Sequence, residues 1–222
     1  MRLDLQHFGR LWRNTIRVVA FDTETTGLRA EDHILQIAWQ PFIWGPSGVT
    51  DRGETSCQMI VPRKPISKRA LEVHGITTGK ASNGKSVGKV ISCFLEAVEK
   101  SDVIIAHNAS FDLRFVKQEI AYITRHNPKR GKCLAQKFEH PSFCTMDILR
   151  QLKLQSLKLV DVYRDLCGRQ ATKLHDAKAD VEALVDIMEC DTVNQCLFEV
   201  GRKRKRSDPE RSLNEQDEGL SR

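Results

Sequence analysis

The run IRVVAFDTET, Ile16 to Thr25, constrains this chain more than any other stretch. Its first half is rich in β-branched residues and Gly27 follows it, the pattern of a strand that ends in a turn. Asp22 and Glu24 lie two residues apart near its end. Alternate residues of a strand share a face, so both carboxylates point the same way. Two like charges placed there repel unless a cation joins them, and oxygen ligands suit a hard divalent ion such as Mg²⁺ or Mn²⁺. Taken alone, the pair fits a plainer reading better, an acidic strand end facing solvent.

The remaining pattern places this strand in an α/β sheet. HILQIAWQPF reads as a second strand ending at Pro41, WGPSG as a turn, and ETSCQMIVP as a third strand closed by Pro62, together an antiparallel meander. ISKRALEVHGIT holds a short helix ending at Gly75, and GKASNGKSVGK reads as a flexible basic loop. Val87, Val90, Ile91, Phe94, Leu95 and Val98 recur at helical spacing. DVIIAHN is a short apolar run typical of a buried strand. Ala109, Leu113, Val116, Ile120 and Ile123 form one helical stripe, and SFCTMDIL reads as a fifth strand. SLKLVDVYRDLCG is a helix stopped by Gly168, and AKADVEALVDIMECDTV is the last one. The order predicts a mixed five-stranded sheet, a three-strand meander plus parallel strands, flanked by helices. Trp39, Trp44, Phe111 and most other phenylalanines are expected in the core.

Residues 1–15 read as an N-terminal extension, an amphipathic lead-in rather than a signal peptide, and 16–200 as one domain. In residues 201–222 apolar side chains nearly vanish, so a basic, disordered tail is expected. Its run from Arg202 to Arg206 is open to three readings: a nuclear localisation signal, a phosphate-binding arm, or a solvated charged end. The chain of 222 residues is 40% hydrophobic, enough for a core, and its net charge of +6 permits nucleic-acid binding without requiring it. Seven cysteines with no Cys-x-x-Cys pair predict a reduced, intracellular chain, cytoplasmic or nuclear. A zinc set of His126, Cys133, His140 and Cys144 has spacings that fit no common finger. No segment approaches the roughly 18 apolar residues of a membrane span.

Two later segments return to carboxylates. In HNASFD, Asn108 is placed to cap a helix and Asp112 falls in its first turn, where it also suits the helix dipole. If the preceding strand is parallel and adjacent to the first, Asp112 reaches the same sheet edge, where ligand sites collect. In HDAKAD, Asp176 caps the last helix and Asp180 lies in its first turn. His175 and Asp180 would stand about 140° apart on a helix, so His175 is expected in the loop before the cap, free to swing over the site. Four carboxylates from three segments, with one histidine, describe a two-metal site for phosphoryl transfer. An imidazole is suited to take the proton of attacking water.

FDTETTGL, HNASFD and HDAKAD, with VHGIT and CTMDILR between them, occur in an order and spacing that resemble the DnaQ-like 3′→5′ exonucleases of the DEDDh type, the group that includes the proofreading epsilon subunit of bacterial DNA polymerase III. The likeness covers about Ile16 to Thr192. It implies an RNase H-like fold. It implies that Asp22, Glu24 and Asp180 bind one metal, that Asp22 also reaches a second, and that Asp112 supports the cluster. His175 is the implied general base. Thr25, Thr26, Gly27 and Leu28 are implied to hold the terminal nucleotide, with Leu28 against its base, and His74 and Asn108 to contact that nucleotide or its phosphate. His107 is read as structural. Lys80, Lys85, Lys89 and the run from Lys129 to Lys137 either follow a phosphate backbone or are solvated loop charges.

The expected activity is metal-dependent release of nucleoside 5′-monophosphates from a nucleic-acid 3′ end, using two Mg²⁺ or Mn²⁺ ions. Single-stranded DNA is favoured over RNA, and proofreading would require a polymerase partner chain. The alternatives are an exoribonuclease of the same fold, or a nucleic-acid-binding, polymerase-associated module with incidental nuclease activity. No membrane partner is expected.

Overall fold

The structure is a computed structural model that describes residues 1–170 and 175–202. In chain order it holds α1 (Leu5–Trp12), β1 (Ile16–Thr25), β2 (Ile34–Gly45), β3 (Gly48–Arg52), β4 (Ser56–Met59), α2 (Lys68–His74), α3 (Thr78–Ala81), α4 (Val87–Val98) and β5 (Val103–Ala106). There follow α5 (Ala109–His126), α6 (Pro128–Phe138), β6 (Ser142–Cys144), α7 (Met146–Leu149), α8 (Leu159–Cys167), α9 (Ala177–Glu189) and α10 (Asp191–Arg202). One mixed sheet runs in the order β3-β2-β1-β5-β6, with β4 also paired to β2. β1 is antiparallel to β2 and parallel to β5, which is parallel to β6.

The two faces of the sheet are covered by different helices. Val18 and Ala20 of β1 pack in a core with Phe8 and Trp12 of α1, Val181, Leu184 and Met188 of α9, and Leu197 of α10. Val19 and Phe21 face the other way, into a core with Phe94 of α4, Phe115 and Ile120 of α5, and Leu134 of α6. β1 and β5 are therefore buried almost throughout, as strands covered on both faces must be. By the same alternation Asp22 and Glu24 share the α9 side of the sheet and Thr23 shares the α5 side.

The sheet has six strands where five are predicted. β2 continues through Pro41 to Gly45, the predicted third strand is present but shortened to β4, and β3 is an additional strand before it. β3 pairs from Phe42 onward and β4 only up to Trp39. The Pro41 carbonyl accepts from Gly53 at 2.9 Å, so its missing N–H faces the same outer side, in the gap between β3 and β4, and no ladder bond is forfeited. β3, GVTDR, is half exposed and lacks apolar alternation. SFCTMDIL is a strand only as far as Cys144, because its neighbour β5 ends opposite it at Ala106.

Helices also depart from expectation. The basic loop before α4 contains α3, capped by the Thr77 hydroxyl. The basic run from Lys129 to Lys137 lies on α6, not on a loop, with Pro128 at its first position and Leu134 and Phe138 buried. The last predicted helix divides at Cys190. There the Asn194 side-chain amide donates to the Glu189 and Cys190 carbonyls, both at 3.1 Å, satisfying groups that a helix end leaves open. Asn194 also accepts from the buried Trp44 indole at 2.8 Å, which anchors α10 to the sheet. No helix among the described residues is long and apolar enough to cross a membrane. The expected disorder of the tail, and its basic run beyond Arg202, lie outside the described residues.

Candidate active site

The carboxyl ends of β1 and β5 open into a cleft of about 1120 Å³. Asp22 and Glu24 reach it from β1. Asp112 enters from the first turn of α5, where it is 2% exposed and accepts two hydrogen bonds from Thr23, from the amide at 3.1 Å and from the hydroxyl at 2.7 Å. Asp180 enters from the first turn of α9. The start of α9 is fixed twice: the Asp176 carboxylate accepts from the Lys178 amide at 3.1 Å, and the Ala177 amide donates to the buried Gln36 side chain of β2 at 3.2 Å. His175 precedes that cap in left-handed backbone (φ 58°) and is exposed. A ring nitrogen of His175 and carboxylate oxygens of Glu24 and Asp180 all lie within 4.8 Å of one another.

Asn108 occupies the cap position of α5 but does not cap it. Its backbone is left-handed (φ 60°, ψ 45°), a conformation asparagine tolerates. Its side chain makes no cap bond and accepts only from Ser110 Oγ at 3.3 Å, which leaves it exposed on the cleft wall.

The turn after β1 is organised by a residue the sequence did not single out, Asp32. Its carboxylate accepts from the Arg29 amide at 2.7 Å and the Thr26 hydroxyl at 3.2 Å, and pairs with Lys64 at 2.8 Å. A Cβ at Gly27 would collide with that carboxylate, so only glycine fits. Thr26 is fully buried in this network and does not line the cleft, whereas Thr25, Gly27 and Leu28 do. Leu28 is 59% exposed, unusual for a leucine beside a cleft. At His74 the Ile76 amide donates to Nδ1 at 2.9 Å, so Nε2 carries the proton and donates to the Thr25 carbonyl at 3.1 Å. Burial pushes the His74 pKa down, against the bond to the Thr25 carbonyl. Both ring nitrogens are thus used within the protein, and His74 acts on the cleft by holding the turn.

Electrostatics set this cleft apart from the other buried acids. Burial, then the neighbouring Asp112 and Asp180, pushes Asp22 well above the usual carboxylate range. Burial and Asp180 push Glu24 up to about 9. Asp112 rises to about 7 by burial, against the Thr23 hydrogen bonds, and Asp180 to about 7 by burial and Asp176. The other buried carboxylates are paired: Glu119 holds Arg63 and the Ile34 amide, and Asp32, on the cleft's rim turn, holds Lys64. Asp22, Glu24 and Asp180 accept no hydrogen bond and form no ion pair among the described residues. Buried charge without a partner is costly, and a hard divalent cation on this oxygen-rich set with one imidazole would remove the cost. His126, Cys133, His140 and Cys144 form no such group among the described residues.

Residues 19–188 match the RNase T family model, described as Exonuclease. The DNA polymerase III PolC-type protein of Thermotoga petrophila is 31% identical over 176 residues, 77% of this chain and 12% of that protein. The DNA polymerase III subunit epsilon of Buchnera aphidicola is 31% identical over 121 residues, 50% of this chain and 48% of that one. A zinc-bound complex of E. coli exonuclease I with single-stranded DNA superposes with a TM-score of 0.65 at 19% identity, covering 82% of this chain and 42% of that chain, a likeness of fold. The chain therefore spans less than half the length of these relatives.

Proposed function

Because the chain belongs to the RNase T exonuclease family, we propose that it hydrolyses phosphodiester bonds at the 3′ ends of nucleic acid, DNA in preference to RNA, and releases nucleoside 5′-monophosphates. The observation that carries this is the meeting of Asp22, Glu24, Asp112, Asp180 and His175 in one cleft, three of the four carboxylates without a cation or donor among the described residues. Asp22, Glu24, Asp112 and Asp180 would hold two divalent ions, Mg²⁺ or Mn²⁺, which supply charge neutralisation and an activated water at the phosphodiester.

The other roles belong to this chain's side chains and backbone. His175 takes the proton from the attacking water; its place on an exposed turn lets the imidazole approach from solvent while Asp180 stays fixed on α9. Thr23 keeps Asp112 oriented from the opposite face of β1. Thr25, Gly27 and Leu28 receive the terminal nucleotide, with Leu28 against the base, and Asn108 contacts it from the α5 side. His74 and Asp32 hold that turn in shape, and Thr26 contributes from within it.

DNA is favoured because the relatives named above are DNA polymerase III proteins, and for the same reason a polymerase is the partner we assign. The test is hydrolysis of end-labelled single-stranded DNA, duplex DNA and RNA in Mg²⁺ and in EDTA, with Asp22→Ala as control. We expect Mg²⁺-dependent mononucleotide release from the 3′ end, fastest on single-stranded DNA, and none from Asp22→Ala. Undiminished cleavage by that variant overturns the reading. Faster cleavage of RNA reverses the sugar preference.

A further inference from the structure

His107, next to Asn108 in HNASFD, lines the cleft but directs both ring nitrogens to groups of the protein. Its Nε2 donates to the Leu157 carbonyl at 2.6 Å, 50 residues away, and its Nδ1 lies 3.3 Å from the Thr145 hydroxyl. A carbonyl only accepts, so Nε2 carries the proton and Nδ1 is left as an acceptor beside the Thr145 hydroxyl, which also lies 3.4 Å from the Ala106 carbonyl. Burial holds the His107 pKa down, which keeps this neutral arrangement. Leu157 immediately precedes Lys158, which lines the same cleft as the four carboxylates.

Four cations line that cleft: Arg29, Lys64, Arg69 and Lys158. Lys64 is taken by Asp32 at 2.8 Å, and Arg29 stands 3.8 Å from Glu31. Arg69 and Lys158 form no ion pair and donate no side-chain hydrogen bond among the described residues. Asp161, one turn along α8, feels the Lys158 charge, but its hydrogen bond and ion pair go to the Ser156 hydroxyl at 2.7 Å and Arg164 at 3.2 Å. Of these two, only Lys158 has its backbone tied to the motif that ends β5.

We propose that Lys158 binds a backbone phosphate of the substrate strand next to the scissile one, and that His107 is the positioning residue that holds it there through the Leu157 carbonyl. The proposal rests on the nuclease reading and assigns part of its strand-binding surface. A strand entering a cleft floored by four carboxylates needs positive charge on the walls, and Lys158 supplies it at a fixed place.

Steady-state kinetics on a single-stranded deoxyoligonucleotide in Mn²⁺, at increasing NaCl, test it. Lys158→Gln should raise KM about tenfold with kcat nearly unchanged, as loss of a charge-assisted phosphate contact does. The slope of log(1/KM) against log salt should fall by about 0.7, the contribution of one phosphate contact on a single strand. Lys158→Arg should restore both. His107→Asn places its donor where Nδ1 was and loses the Leu157 bond, so it should copy Lys158→Gln. His107→Gln places its donor near Nε2 and should stay close to wild type. The double variant His107→Asn, Lys158→Gln should be no worse than Lys158→Gln.

A wild-type KM and salt slope in Lys158→Gln overturns the proposal. So does a His107→Asn variant that loses kcat alone, or losses that add in the double variant. If His107→Asn does not fold, Lys158→Gln against Lys158→Arg decides. Wild-type hydrolysis of the p-nitrophenyl ester of thymidine 5′-monophosphate, which has no neighbouring phosphate, separates the two readings. Activity on the ester, with Lys158→Gln leaving the oligonucleotide KM and salt slope unchanged, removes this inference alone. No activity on ester or oligonucleotide removes the nuclease reading with it.

Discussion

Thr23 gives both its amide and its hydroxyl to one oxygen of Asp112, at 3.1 and 2.7 Å, across 89 residues of chain. The bond passes over the end of the sheet. Asp22 and Glu24 face α9, Thr23 faces α5, and Asp112 is drawn to the edge between them. Thr23→Val keeps the shape and the amide bond but removes the hydroxyl. Isothermal titration should then show Mn²⁺ binding weakened about tenfold, as for loss of a partner that orients a ligand. Unchanged affinity would mean the amide alone holds Asp112.

Asp176 and Asp180 are neighbours with separate jobs. Asn caps a helix about as well as Asp, so Asp176→Asn should keep α9 intact and most of the activity. Asp180→Asn removes a carboxylate that has no hydrogen-bond or ion-pair partner among the described residues, so Mn²⁺ binding and turnover should both collapse. Equal losses of turnover in the two variants would show that Asp176 does more than start the helix.

The raised carboxylates make a pH prediction with a definite sign. Folded values of about 9 for Glu24 and about 7 for Asp112 and Asp180 lie above the unfolded carboxylate range near about 4. A group whose pKa is raised on folding contributes stability that is full below the unfolded value and is lost as pH climbs through the folded one. In EDTA the melting temperature should therefore fall between about pH 5 and pH 9, and saturating Mn²⁺ should raise it most at the alkaline end. Glu24→Gln should flatten the metal-free slope. Calorimetry across that range checks both, and a metal-free Tm that rises with pH contradicts the assignment.

Gly27 is required for space rather than for backbone freedom. Gly27→Ala drives a methyl into the Asp32 carboxylate, which Lys64, Thr26 and the Arg29 amide hold in place. Overpacking of this kind costs about 1–3 kcal/mol, and the displaced turn should raise KM for the 3′ end. Asp32→Ala makes room, so adding Gly27→Ala to it should cause no further loss. An additional loss in the double variant would locate the clash elsewhere.

Along-chain periodicity carried a good deal of this molecule. A period of two put Asp22 and Glu24 on one face, and the cap pattern put Asp176 and Asp180 at the start of a helix with His175 in the turn before it. Those are local properties of six or fewer residues. The three motifs and their order placed the chain in its exonuclease family, as the family match over residues 19–188 bears out. Local pattern failed where local pattern was weak. β3 is short and polar, α6 hides two apolar positions in a run of lysines, and α10 separates from α9 only because Asn194 satisfies carbonyls at the break.

What sequence alone determined was which residue types face one another within an element: two carboxylates on one strand face, a carboxylate in the first turn of each of two helices, a histidine outside the last of them. Tertiary structure alone decided what they meet. Because β5 lies beside β1, Thr23 reaches Asp112, His107 reaches Leu157, and three carboxylates arrive in one cleft with no paired cation among the described residues. Hydrogen bonds and desolvation act over a few ångströms in space, and residues 50 to 89 apart come that close only when the sheet order brings them there.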